Sequence, residues 1–266
     1  MSSSLDRPVA FITGGARGVG AATARRLAVD GWAVAVFDAC ADNPALPYPL
    51  ATRTDLDATL AECGPHALAL VGDVRSQDEL DEAVATTVRQ FGGLDAAVAC
   101  AGAIAGGPPA WETTDEVWEA LIDINLTGVW RLATAAVPAL LARPEPRHGR
   151  FVAIASAAAV TGMPQLAAYA AAKHGVLGFI RSIAAELGSL GVTANAICPG
   201  STTTAMLAAS AVVYGLESTE EFVQHHLLPR LITPDEVAAA AAWLCGRDAD
   251  AITGAALPVD AGMTAS

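Results

Sequence analysis

Residues 8–13, Pro-Val-Ala-Phe-Ile-Thr, run directly into Gly14-Gly15-Ala16-Arg17-Gly18-Val19-Gly20, and an amphipathic stretch rich in Ala, Arg and Leu follows from about Ala21 to Asp30. An apolar run of strand length, a glycine turn and a helix, in that order, constrain the fold more than any other feature of the chain. They aim backbone N–H groups and the positive end of a helix at one point, which suits a pyrophosphate. A glycine cluster alone says little, but here a second strand-like run, Ala33 to Phe37, follows and ends at Asp38. Asp38 lies eighteen residues beyond Gly20, where a carboxylate can accept hydrogen bonds from the hydroxyls of an adenosine ribose. Its charge also repels a 2′-phosphate, which favours NAD. Arg17, inside the turn, keeps NADP as the alternative, and an ordinary strand-end turn residue is the plain reading of Asp38.

A second candidate site lies between Ser156 and Lys173. Tyr169 and Lys173 are four residues apart in an Ala-rich run, so on a helix they share a face. An ammonium beside a phenol favours phenolate and is expected to lower a pKa that is otherwise about 10. Lys173 is the only lysine among fifteen Lys plus Arg, and it follows one of only three tyrosines. That coincidence argues against a polar pair on a solvent face, because Lys offers a compact donor on a flexible stem where Arg offers a rigid fork. Phe151 to Ala155 is apolar enough for a buried strand, and a loop after it would return the Ser156 hydroxyl to Tyr169.

At 266 residues the chain is long enough for one large α/β domain. It is 53% hydrophobic, yet no continuous apolar run approaches the roughly 18 residues of a membrane span. Residues 1–7 are polar, without the apolar segment of a secretory signal. Cys40, Cys63, Cys100, Cys198 and Cys245 are scattered, with no CxxC pair and no metal-ligand spacing. Reduced thiols, a cytoplasmic location and no bound metal are expected. The formal charge, 15 − 28 = −13, comes without any basic cluster, so nucleic acid and anionic membranes are poor partners. A small-molecule enzyme fits better.

Further along, helices are expected at Gln77 to Phe91, Asp115 to Leu141, Leu166 to Leu190 and Pro234 to Cys245. Strands are expected at Asp95 to Ala99, Val192 to Ile197 and near Ala255 to Val259. Alternating strands and helices, with no linker or repeat, make one doubly wound parallel sheet over residues 1–266, helices on both faces. Two segments stand outside that pattern. Residues 39–54 hold Pro44, Pro47 and Pro49, a semi-rigid insertion without helix or ladder. It either folds over the adenosine end of a cofactor or is a neutral surface loop. Residues 201–232 have no sheet pattern and read as a substrate lid, with His225-His226 as polar surface.

Together these motifs resemble the short-chain dehydrogenase/reductase family. Thr13 to Gly20 matches its TGxxxGxG turn, Ser156, Tyr169 and Lys173 match its Ser…YxxxK site, and Asn125 in Asp-Ile-Asn-Leu-Thr-Gly matches the Asn of its catalytic tetrad. Asp73-Val74 matches the acidic position that meets adenine, and Pro199-Gly200 with Thr204 matches the segment that grips the nicotinamide carboxamide. The resemblance covers nearly the whole chain. It departs at Ala99-Cys100-Ala101-Gly102, where the family has Asn-Asn-Ala-Gly. Bracing asparagines are lost there, while Ala101-Gly102 still permit close approach to the cofactor.

The resemblance implies a Rossmann-type sheet of about seven strands, a homotetramer paired through the two long helices, and hydride transfer between a secondary alcohol or ketone and NAD. Tyr169 would be the general acid/base, supported by Lys173, which also contacts the ribose. Ser156 would donate to the substrate oxygen, and Asn125 would hold a water linking Lys173 to solvent. The cofactor would meet Gly14, Arg17, Gly18, Val19, Gly20, Asp38, Asp73, Val74, Ala101, Gly102, Pro199, Gly200 and Thr204, besides Tyr169 and Lys173. The stretch from Cys40 to Thr52 resembles the insertion of mycofactocin-coupled members of the family from actinobacteria. In those, NAD is thought to stay bound while mycofactocin takes the electrons. The alternatives are an ordinary member exchanging NAD(H) or NADP(H) freely, and a non-catalytic nucleotide-binding or scaffold protein, against which the intact tetrad argues.

Overall fold

In the first strand, Val9 and Phe11 face one side of the sheet while Ala10 and Ile12 face the other, and all four are buried. Both faces are therefore covered, as a parallel sheet requires. The computed structural model describes residues 7–265. Its strands β1 (Val9–Thr13), β2 (Ala33–Asp38), β3 (Ala67–Val71), β4 (Ala96–Ala99), β5 (Gly149–Ile154), β6 (Val192–Pro199) and β7 (Ala256–Val259) are all parallel, in the order β3-β2-β1-β4-β5-β6-β7. Helices α1 (Gly18–Val29), α2 (Arg53–Cys63) and α8 (Pro234–Cys245) cover one face, through Leu27, Leu56 and Val237. Helices α3 (Gln77–Phe91), α4 (Asp115–Ile122), α5 (Gly128–Leu141) and α6 (Ala167–Leu187) cover the other, through Leu80, Leu121, Leu132 and Val176. The sheet winds outward in both directions from the gap between β1 and β4, and that reversal puts a crevice at their carboxyl ends.

Several expected boundaries move for identifiable reasons. Helix α1 starts at Gly18, three residues earlier than expected, so the glycine turn itself supplies its first turn. The long helix expected from Asp115 to Leu141 is interrupted by one π-turn, Asp123–Thr127, which separates α4 from α5. Such turns insert one extra residue into a helix and recur at functional positions. By length and composition this 27-residue stretch is apolar enough to cross a bilayer, which a search for continuous apolar runs passes over. Half of its most apolar window is buried inside the protein, as in a core helix. Helix α6 ends at Leu187 and tightens into a short 3-10 turn to Leu190.

The lid is partly helical, with α7 (Ala205–Val213) and a 3-10 turn, Thr219–His225, around a small apolar cluster of Leu207, Ala211, Phe222 and Leu231. His225-His226 is not simply polar surface. His226 is buried, its Nε2 accepts from the Ser201 N–H at 3.3 Å, and its Nδ1 lies 2.7 Å from the Arg230 carbonyl. Its ring therefore ties the lid to the end of β6.

The insertion forms neither helix nor strand between β2 and α2, as its prolines dictate. It braces itself: the Asp42 carboxylate accepts from Leu50 N–H at 2.7 Å, Asn43 accepts from Ala45 N–H at 3.0 Å, and Leu46 is buried. Thr52 then caps α2 in a reciprocal pair with Asp55.

Candidate active site

A cavity of about 520 Å3 opens where β1 and β4 diverge, and it runs from the glycine turn to the lid. At one end, α1 begins without a side-chain cap from Arg17, so its first N–H groups remain free for an anion. Gly14 has φ +64°, and a Cβ there would sit 2.5 Å from the Ala101 Cα. The turn can lie against the β4 loop only as glycine. Gly18, at φ +59°, would direct a Cβ toward Thr204 at 3.4 Å across the cavity. Val19, Gly20, Asp73, Val74, Gly102, Pro199, Gly200 and Thr204 line the same space. This set fits a dinucleotide: an uncapped helix start for phosphates, a carboxylate at the ribose position and a narrow, side-chain-free slot between the turn and Ala101-Gly102.

Asp38 is held in position by the backbone. Its carboxylate accepts from Ala16 N–H and from Cys40 N–H, both at 3.1 Å. Arg17 faces away from the role that would select NADP, because its Nη2 donates to the Pro49 carbonyl at 2.8 Å. Asp73 is shared. Burial acts to raise its pKa, but hydrogen bonds from the Arg75 side chain and backbone outweigh that and hold it below the usual range. The missing asparagine brace is partly replaced by Thr13, whose buried hydroxyl accepts from Ala101 N–H at 3.3 Å. The Cys100 thiol is pushed up to about 12 by burial, so it stays protonated.

At the other end the four expected catalytic side chains converge. The π-turn brings Asn125 inward, fully buried, where Oδ1 accepts from Ala103 N–H at 3.1 Å and Nδ2 donates to the Ala103 and Leu121 carbonyls, each at 2.9 Å. Lys173 Nζ donates to the Ile154 carbonyl at 2.9 Å and lies 5.7 Å from the centre of the Tyr169 ring. A Cβ on Gly102 would meet Asn125 Oδ1 at 3.0 Å and Lys173 Nζ at 3.6 Å, so this glycine lets the β4 loop pass beside the pair. Ser156 Oγ accepts from Ala158 N–H at 3.1 Å, which leaves the hydroxyl proton available to the cavity.

The expected lowering of the Tyr169 pKa by Lys173 is corrected here. Burial pushes Tyr169 up to about 12, the neighbouring Ser156 hydroxyl pulls it partly back, and Tyr48 adds to the rise. Burial likewise lowers Lys173 to about 8. Both side chains are almost entirely out of solvent, and the loss of hydration is the largest cause of each shift. Tyr169 is thus held as a phenol.

Tyr48 belongs to the insertion expected either over the adenosine end or on a neutral surface; instead its hydroxyl oxygen accepts from Ile104 N–H at 3.1 Å, and its ring packs against the core beside the catalytic end. A signal was available, since all three tyrosines of the chain, Tyr48, Tyr169 and Tyr214, line this one cavity. Tyr214 donates to the Pro164 carbonyl at 2.9 Å and stacks edge-on against Phe222, fastening the lid to the loop before α6.

A family model described as Enoyl-(Acyl carrier protein) reductase matches residues 14–264. The chain belongs to the short-chain dehydrogenase/reductase family. It is 37% identical over 270 residues to an uncharacterised NAD-dependent oxidoreductase of Mycobacterium tuberculosis, covering 97% of this chain and 96% of the relative. A crystal structure of carveol dehydrogenase from Mycobacterium avium in complex with NAD superposes with a TM-score of 0.92 at 33% identity, over 99% of this short-chain dehydrogenase/reductase and 100% of that chain. An actinorhodin polyketide ketoreductase solved with NADPH gives 0.88 at 36% identity, over 99% of both chains.

Proposed function

We propose that this short-chain dehydrogenase/reductase is an NAD-dependent oxidoreductase that interconverts a secondary alcohol and a ketone. The observation that carries the reading is the convergence of Ser156, Tyr169 and Lys173, with Asn125 buried behind them, at the end of a cavity whose other end suits a dinucleotide. NAD, when bound, supplies the hydride acceptor. Held as a phenol, Tyr169 gives its proton to the substrate oxygen in reduction; in oxidation it must first shed that proton, and its phenolate then takes the proton of the substrate hydroxyl. Ser156 donates to the same oxygen as its charge changes, an oxyanion-type contribution. Lys173, tied to the Ile154 carbonyl, steadies the charge left on Tyr169, and Asn125 fixes the loop that passes beside Lys173.

NAD is favoured over NADP because Asp38 is fixed at the strand end and Arg17 is committed to Pro49. Two hydrogen bonds, Arg17 to Pro49 and Ile104 to Tyr48, hold the insertion on opposite sides of the cavity. They support a bound NAD that leaves slowly; its reoxidation in place by mycofactocin rests on the resemblance of the insertion from Cys40 to Thr52. Freely exchanging NAD(H) or NADP(H) is the competing reading. The protein is read as cytoplasmic and as a homotetramer, with Trp118 on α4 and Trp130 on α5 at 44% and 50% exposure available for pairing.

Tyr169→Phe tests the central claim. Turnover should fall by about 10²–10⁴, the contribution of one general acid/base, with NAD binding retained. A variant as active as the parent would remove Tyr169 from the mechanism. For slow exchange, the protein should purify with NAD and oxidise alcohol once per site until an electron acceptor is added. Deleting residues 43–49 should restore turnover with free NAD.

A further inference from the structure

The cavity has two ends of opposite character. Its charged residues gather at the dinucleotide end, around Arg17, Asp38, Asp73 and Arg75, with Lys173 at the junction. The far end is walled by Ile104, Met163, Leu166, Met206, Tyr214 and Phe222. The three stretches that contribute this wall, residues 101–130, 151–172 and 201–229, contain neither Lys nor Arg, and the lid's one cation, Arg230, is paired with Glu236. Every Asp or Glu in them is unopposed by a basic neighbour in the same stretch, and Glu217, Glu220 and Glu221 are exposed beside Phe222 on the lid.

We infer that the substrate is a compact, uncharged alcohol or ketone, and that thioesters on coenzyme A or on an acidic carrier protein are selected against. The inference rests on the hydride-transfer reading above and narrows its substrate class. Cations around the entrance favour docking of a phosphopantetheine arm by receiving its phosphates or its acidic carrier. Here the lid presents carboxylates instead, on a protein of net charge −13, so approach of a polyanion is slowed and its docking opposed. An ammonium or carboxylate on the substrate itself would meet apolar walls with no partner. The Tyr214 bond to the Pro164 carbonyl also holds the lid against the loop before α6. Neutral cyclic or branched molecules fill such a space without crossing it.

The test presents one 3-oxoacyl group in two forms to the enzyme with nicotinamide cofactor bound: as the neutral N-acetylcysteamine thioester and as the coenzyme A thioester. Binding is measured by calorimetry, and reduction by a single turnover of bound NADH, alongside a neutral cyclic ketone. The coenzyme A form should bind at least about tenfold more weakly at low salt, and the gap should shrink in high salt. It should also shrink in the double variant Glu217→Lys, Glu220→Lys, which leaves Glu221 to cap its turn. The cyclic ketone should be reduced by parent and variant alike. Equal or tighter binding of the coenzyme A thioester by the parent would overturn the inference. Retention of the binding order with no reduction of any neutral ketone would instead count against hydride transfer, leaving the selectivity of the rim intact.

Discussion

The hydroxyl oxygen of Tyr48 accepts a hydrogen bond from the backbone N–H of Ile104, 3.1 Å away and fifty-six residues later in the chain. The bond ties the proline-rich insertion to the loop after β4, between the dinucleotide end and the catalytic end of the cavity. Tyr48→Phe keeps the ring and its packing but leaves Ile104 N–H without that acceptor. A net loss of about 1 kcal/mol is expected, which should speed NAD release by roughly fivefold in a chase experiment. An unchanged release rate would show that the clasp does not retain the cofactor.

The paired pKa shifts at the site make stability depend on pH with a definite sign. Lys173 titrates near 8 when folded and near 10.5 otherwise. Between those values the unfolded chain holds the proton and the folded chain does not, so stability rises with pH through the window. The gain is on the order of 3 kcal/mol at most. It is complete above 10.5 and lost as pH falls through 8. Tyr169 acts in the opposite sense at higher pH, its contribution being full below 10 and lost as pH rises toward 12. Chemical denaturation of parent and Lys173→Met from neutral pH to about 10 should show the slope in the parent alone.

Asp38 and Arg17 separate charge selection from retention. Asp38→Ser removes the carboxylate that opposes a 2′-phosphate, and the preference for NAD over NADP should narrow by about tenfold or more. Arg17→Ala removes the bond to the Pro49 carbonyl. It should speed NAD release without improving NADPH binding, as direct titration of both cofactors would reveal. Tighter NADPH binding by the parent would reverse the assignment.

Assembly can be checked by light scattering at micromolar concentration. Four chains of 26.9 kDa are expected for the parent, and Trp130→Glu, which puts a charge on the half-exposed face of α5, should shift the mass downward. A parent of single-chain mass would rule the tetramer out.

Elements whose signals are local were legible in the order of residues. The order of apolar run, glycine turn and helix specified the first βαβ unit, and the helix expected from Pro234 to Cys245 is α8 with the same bounds, because turns and helix starts depend on adjacent residues. The spacing of Tyr169 and Lys173 was equally legible, since four residues on a helix share a face wherever that helix packs. Three other features depend on packing between distant segments. Asn125 was legible as a motif residue, but the π-turn that points it at Ala103 depends on how α4 and α5 pack beneath the β4 loop. The state of Tyr169 turned on burial, which no spacing reports; desolvation set it as a phenol where proximity to Lys173 alone argued for phenolate. Tyr48 and His226 found partners at Ile104 and Ser201, in the loops after β4 and β6. Such contacts form only when the sheet order brings separate segments to one edge, and that order is a property of the whole fold.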